Sequence, residues 1–414
     1  MRAVISTVVA LGALVVLLRM KVKIGRSMIL SALVLSVFLG VGPQQLWRDL
    51  AMEWASKPVT QTTAWLLVSL TALVIMVNVF GAAMRRTAVS SRLAPAMQGL
   101  FRSRRLALAA IPFMMGMLPT PGGIMLSAPT VRDFGDHLAI DRSRLAAINF
   151  YFRHQWESVW PLFPAIPLVQ GILGVSAFSV VSANALLWLF GVAGGVIFLL
   201  LVGPAPQKSI IESQKHRFAR NLRDFAHALW PIVLTAVLYT AFSVPPALGI
   251  SAATVAFLLL HRIQPRRWPK ILKDSFDPDL VLLITGALLF KTNLEAARAI
   301  SEVMNLLDRY GVSPYLIIFL LPMLVCYLTG IASATIAVTF PLLAPLIGTG
   351  AEARMGLEAL GFSGLLFGLF ITPVHLCLPL SAAYFEVPLQ KIIVKLLLPA
   401  VLVAAAGVIM AVFL

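Results

Sequence analysis

Long apolar runs alternate with short, basic, polar stretches along the whole chain. Ten runs read as helical membrane crossings: residues 3–18, 27–42, 62–81, 145–173, 177–202, 229–243, 246–261, 279–292, 358–380 and 392–414. Two more, 104–131 and 313–348, are equally apolar but interrupted. A helix rises about 1.5 Å per residue, so about 20 mostly apolar residues span the hydrocarbon core. The pattern predicts an all-α polytopic membrane protein.

The order of segments divides the chain in two. Each half has three crossings, a stretch of mixed polarity, an interrupted segment and two further crossings. This places a first repeat at 1–202, with its hairpin at 104–131, and a second at 229–414, with its hairpin at 313–348. The basic stretch 203–228 links them. Five crossings per half is an odd number, so the second repeat is expected inverted relative to the first, each carrying a re-entrant broken hairpin. That is the architecture of secondary transporters, whose sites lie near the bilayer midplane.

Charge orients this scheme. The chain of 414 residues is 59% hydrophobic and 12% charged, with a net charge of +16. Such a balance excludes an ordinary soluble domain. The positive charge does not point to nucleic acid, because it is sorted by side: 25 Lys and Arg fall in loops on one side and 7 on the other, with Arg153 inside a crossing. The rich side is expected to be cytoplasmic, which puts both termini outside the cytoplasmic membrane. Arg19, Lys21, Lys23 and Arg26 follow the first apolar run, and no small-residue cleavage site follows it. That order fits an uncleaved first helix. Cys326 and Cys377 lie in apolar runs and suggest no disulfide framework.

The interruptions carry the candidate chemistry. In "GMLPTPGGIMLSAP" (Gly116 to Pro129), Thr120, Pro121, Gly122 and Gly123 free backbone groups from the helix ladder. The half-helix from Ile124 then presents its positive end to an anion, with Ser127 one turn inside. In "YLTGIASATIAVTFP" (Tyr327 to Pro341), Thr329, Gly330, Ser333 and Thr335 supply hydroxyls and flexible backbone at the matching place.

The crossings that follow hold ionisable side chains, which are expensive in a membrane and usually functional. In "INFYFRHQWESVWPLFP" (Ile148 to Pro164), Asn149, Arg153 and Glu157 are spaced to share one helical face. Arg153 is expected to attract an anion. Glu157 either holds that anion, takes a proton, or neutralises Arg153 in a purely structural pair. His154 is a candidate proton carrier or a hydrogen-bond partner of a neighbouring helix. Trp156 and Trp160 read best as interfacial anchors. In "ITPVHLCLPLSAAYFEVP" (Ile371 to Pro388), Thr372 and His375 are placed on one face, and His375 is the ionisable residue well inside the crossing. No Walker A, zinc-protease, Cys/His ligand or nucleophile-elbow motif occurs, which argues against an enzyme or an ATP-driven pump.

"PTPGGIMLSAP", "NFYFRHQWESVWPLFP", the "LTG" break and "TPVHLCLPLSAAYF" resemble the prokaryotic membrane-protein family called domain of unknown function 401. The Arg153–Pro161 and Pro373–Leu378 runs carry most of that likeness. The family is grouped with the ion transporter superfamily of carboxylate permeases, arsenite exporters and sodium/proton antiporters. The resemblance implies inverted repeats, two re-entrant hairpins and transport, without a substrate. Neither hairpin has the Ser-Asn-Thr tripeptide of the sodium-dependent carboxylate carriers, which puts their sodium and carboxylate contacts in doubt here.

The expected function is therefore secondary transport of a small anion, an organic carboxylate above all. No cofactor is expected, only sodium or protons as coupling ions, with a sodium site at the breaks as the one metal option. The expected partners are the solute and the bilayer, with a homodimer allowed and no nucleic acid. A cation/proton antiporter, an intramembrane enzyme and a membrane subunit of a larger complex remain as alternatives.

Overall fold

A computed structural model describes residues 2–87, 89, 92, 96, 99–101, 103–117, 124–201, 218–297, 302 and 309–414. Among these it is all helical, with eighteen α-helices and no strand. The first half holds α1 (Arg2–Arg19), α2 (Ile24–Leu39), α3 (Pro43–Ser56), α4 (Thr63–Arg86), α5 (Arg104–Gly116), α6 (Ile124–His137), α7 (Arg142–Arg153), α8 (Ala165–Leu173) and α9 (Ala177–Gly195). The second holds α10 (Phe218–Phe242), α11 (Pro246–Leu260), α12 (Trp268–Ser275), α13 (Pro278–Ala296), α14 (Pro314–Thr329), α15 (Ala332–Ile347), α16 (Met355–Ile371), α17 (Cys377–Phe385) and α18 (Leu389–Phe413). Residues 202–217 of the basic linker lie outside the described residues, and 218–228 form the first turns of α10.

Five helices are long and apolar enough to cross a bilayer unaided: α1, α4, α9 with its π-helical extension to Leu201, α10 and α18. The protein is thus a helical membrane protein. The helices α11, α14, α15 and α16 are apolar but only 15 to 17 residues long. At 1.5 Å per residue they reach about 22–26 Å, short of the hydrocarbon thickness.

Two crossings expected to be continuous are broken in the middle. The run 145–173 is α7, a 3₁₀ turn over His154–Ser158, a non-helical passage through Pro161 and Pro164, and then α8. The run 358–380 is α16, an irregular stretch at 372–376, and then α17. Proline explains both. It lacks an N–H to donate back along the helix and disfavours helical geometry in the residue before it. The stretch 42–62, which has no continuous apolar run, contains α3. This amphipathic helix buries no residue, exposes Trp47, Met52 and Trp54, and turns 103° from α2. Such a helix suits the membrane interface.

The helices pack in a regular scheme. The long contacts run between α2 and α13, between α4 and α11, between α5 and α7, and between α14 and α16. Further contacts join α7 to α18, α9 to α16, α8 to α15, and α6 to α17. The pairs α4–α13 and α9–α18 touch across the middle.

Polar contacts sort onto two ends. Arg86–Asp274, Lys395–Asp141 and Arg142–Glu386 pair at one end, at 2.9, 3.4 and 3.0 Å. At the other end Gln45 donates to Ala296 O, the Ala3 amide to Glu302, and the Thr63 amide to Glu53. Partial burial works against the charge of Glu53. The Thr63 amide and hydroxyl, Lys291 and Lys57 outweigh that burial and hold its carboxyl below the usual range.

Asp141 sets the start of α7, the helix that delivers Arg153. Its side chain accepts from the Arg144 amide at 3.1 Å and from the Ser143 hydroxyl. Partial burial opposes its charge, but Ser143, the Arg144 amide and Lys395 together hold the carboxyl below the ordinary aspartate range. Asp141→Ala is therefore expected to cost about 1 kcal/mol, a typical cap loss. Because the folded carboxyl titrates below its unfolded value of about 3.9, the charged contribution is complete above that pH and is lost as pH falls further. Thermal unfolding in detergent should separate the variant from the wild type at pH 7 and show the gap narrowing progressively as pH falls below about 3.9. An equal gap throughout would remove the charge from the account.

Candidate functional site

The breaks after α7 and α16 and the end of α14 meet at one place. Helix α14 ends at Gly330, whose φ of 68° is left-handed and which packs against the other break. A Cβ there would lie 2.7 Å from the His375 amide nitrogen, so both conformation and contact require glycine. The Thr372 hydroxyl donates to Tyr327 O at 2.6 Å and accepts from the Val374 amide at 3.1 Å, stitching the break after α16 to the end of α14. Thr329 and Thr335 are buried, and their hydroxyls bond Val325 O and Ile331 O at 2.8 and 3.0 Å. Ser333 faces elsewhere, into a cavity of about 50 Å³ shared with Val74, Pro164 and Ile284.

The first half builds the matching junction. Helix α5 ends close to the break after α7, and a Cβ on Gly116 would lie 2.2 Å from Arg153 O. A helix end leaves carbonyls without intrahelical partners. Here Arg153 donates to Met115 O at 2.8 Å, the Trp156 indole to Phe113 O at 2.7 Å, and the Trp160 indole to Met117 O at 3.1 Å. Trp156 and Trp160 are therefore caps on α5, a role beyond the expected anchoring. Thr120, Pro121, Gly122 and Gly123, expected at the first break, lie outside the described residues.

Several expected roles change with this geometry. Asn149 and Ser127 are buried and satisfy each other at 2.6 Å, locking α6 to α7. The expected common face of Asn149, Arg153 and Glu157 is not formed. Helix α7 ends at Arg153, and the 3₁₀ turn carries Glu157 around by roughly an extra quarter turn relative to an α-helix. Thr372 and His375 do not share a helical face either, because 372–376 is not helical.

What converges is a charge and an imidazole pair. Arg153 is only 5% exposed, and Glu157 and His154 are also buried. Arg153 interacts electrostatically with Glu157, Cys377 and both histidines. His154 Nε2 lies 2.9 Å from His375 Nε2, joining residues from the two halves. Each ring is anchored by its other nitrogen, His154 Nδ1 on Phe150 O and His375 Nδ1 on Gly330 O, both at 2.6 Å. Phe150 packs against both rings. Around the second break Pro373, Val374, Leu376 and Pro379 are exposed.

One buried acid escapes the sequence reading. Glu358 is fully buried in α16 and accepts from Asn184 Nδ2 of α9 at 3.2 Å. Among the described residues, its second oxygen and the Asn184 carbonyl have no partner. Its position at the first residue of an expected crossing disguises it as a boundary charge.

No curated protein matches the chain. A family model does match it, over residues 4–414, and its description is a protein of unknown function. With that match covering nearly the whole length, the chain belongs to the DUF401 family.

Proposed function

We propose that this protein is a secondary transporter that carries a small anion, an organic carboxylate being the best fit, across the cytoplasmic membrane. The observation that carries this reading is the buried Arg153 guanidinium, held where a broken crossing meets the end of a hairpin helix. A buried cation between irregular backbone segments is a natural counter-charge for an anion. The exposed residues around 373–379 supply an approach, since irregular backbone at membrane depth must line water or protein.

The packing scheme supports inverted repeats. Exchange each helix of the first half with its counterpart in the second: α2 with α11, α4 with α13, α5 with α14, α6 with α15, α7 with α16, α8 with α17 and α9 with α18. The contact α2–α13 then becomes α11–α4, α5–α7 becomes α14–α16, α7–α18 becomes α16–α9, and α8–α15 becomes α17–α6, all of which occur. On this reading α5/α6 and α14/α15 are the re-entrant pairs. The two broken crossings and eight others make ten passages, with the basic end cytoplasmic and both termini outside.

A cation/proton antiporter is the second reading, favoured by the buried Glu157 beside Arg153. Thermal-shift screening of purified protein against organic acids, with and without sodium, finds the ligand, because a bound solute stabilises the fold by mass action. Arg153→Gln is expected to weaken an anion roughly tenfold to a hundredfold, the value of one charge-assisted contact of about 1.5–3 kcal/mol. Glu157→Gln should then be milder. The reverse ranking, with Glu157→Gln abolishing exchange, identifies the antiporter.

Gly330→Leu should abolish binding and lower the melting temperature, and normal binding would reduce the break to a structural kink. For topology, single cysteines replacing Gln45 and Ala351 in a background without Cys326 and Cys377 should label from outside intact cells. Cysteines at Lys270 and Lys391 should not. Outside labelling of Lys270→Cys would overturn the ten-passage scheme.

A further inference from the structure

We infer that His154 and His375 hold a single shared proton between their Nε2 atoms, and that this proton is the coupling ion of the transporter. The shared proton follows from hydrogen-bond accounting alone; its coupling role rests on the transport reading above.

A backbone carbonyl can only accept a hydrogen bond. Phe150 O and Gly330 O therefore require a hydrogen on His154 Nδ1 and on His375 Nδ1. A neutral imidazole has one N–H, so with Nδ1 occupied each Nε2 presents a lone pair. Two lone pairs facing each other at 2.9 Å repel. One additional proton converts the repulsion into an N–H···N hydrogen bond of ordinary length, and it makes the pair an imidazole–imidazolium unit of charge +1. The Phe150 ring, 4.4 Å from the His154 ring centroid, offers an aromatic face to that charge.

A metal ion is the competing occupant, because a donor nitrogen of each ring and the Cys377 sulfur lie within 4.8 Å of one another. Two features favour the proton. A tetrahedral ion with nitrogens at about 2.05 Å would hold them roughly 3.3 Å apart, wider than observed. The Cys377 thiol also interacts with Arg153, so a metal there would sit beside a fixed cation.

The charged and titratable groups around the pair come from four elements: Arg153 at the end of α7, Glu157 in the 3₁₀ turn, Cys377 at the start of α17, and Cys326 of α14, which interacts with Glu157. Arg153 opposes the proton and Glu157 offsets Arg153. An anion bound at Arg153 would add to that offset, which couples the two cargoes without direct contact. The hydrogen bond also spans the halves, one ring belonging to the break after α7 and the other to the break after α16. Parting the halves breaks it. The proton then leaves on one ring as imidazolium or passes to water, and the departing lone pair returns to its own Nε2.

Nitrogen NMR of the full-length protein, labelled with ¹⁵N-histidine and reconstituted in lipid, tests the pair directly against pH. The expected result is two rings with protonated Nδ1 and a scalar coupling between their Nε2 atoms, with the coupling lost in His154→Gln and in His375→Gln while the remaining ring keeps its Nδ1 proton. Cys377→Ser should leave the coupling in place. Two neutral rings without coupling across the titration, or stoichiometric binding of added Zn²⁺ that is lost in Cys377→Ser and in both histidine variants, would overturn the shared proton. The wild-type spectrum decides this even if a variant fails to fold. In proteoliposomes loaded with a pH dye, His375→Gln should abolish substrate-driven proton flux, and solute binding to the purified variant should lose its dependence on pH. A coupled pair with undiminished proton flux in His375→Gln would overturn the coupling role. A coupled pair in a protein that moves no solute would instead defeat the transport reading.

Discussion

The structure turns on one requirement: a helix that stops where water is excluded leaves carbonyls that need partners from the protein. At the end of α5 those carbonyls are Phe113, Met115 and Met117, and each receives a side-chain donor from the break after α7. At the end of α14 the carbonyls are Tyr327 and Gly330, and the break after α16 supplies Thr372 and His375. In both halves the interruption of one element is completed by the interruption of another. Each break caps a neighbouring helix end, which places irregular backbone and helix end at one junction in each half. The buried Arg153 is a product of that requirement as well as a candidate for function.

Much of the scheme is legible in the sequence. The break at Gly330 is visible because a Thr-Gly step, followed closely by Ser333 and Thr335, interrupts a long apolar run with residues that stop helices and bond backbone. The apolar class follows from the runs alone. The broken crossings are less visible. Apolar spacing continues through Pro161 and Pro164, and through Pro373, although each proline argues for a stop. Helix α3 stays hidden because its apolar residues are only half its length, and amphipathicity is diluted in a search for continuous apolar runs. His154 and His375 are separated by 221 residues, and nothing local in either run names its partner. The same holds for Glu358 and Asn184, 174 residues apart.

The glycines at the junction show how tightly this arrangement is specified. Gly116 lies against Arg153 O, and Gly330 lies against the backbone of Val374 and His375. Both positions bring main chain to main chain with no room for a side chain. Backbone contact of this kind transmits displacement directly, because no flexible side chain intervenes to absorb it. A shift at the end of α5 or of α14 would therefore move the adjacent break with it.

Helix α3 has a consequence at the scale of the bilayer. It leaves α2 at 103° with its tryptophans exposed, and its Glu53 is tied to the start of α4. A helix with such a surface suits the headgroup layer, where it would fix the height of the helices it joins, much as a float fixes the depth of a keel. Any mismatch between protein and lipid thickness then has to be taken up elsewhere, by tilt or local thinning. The short helices and the two broken crossings are the elements with least stiffness to resist it. Acyl-chain length and lipid composition would then act on the central junction mechanically.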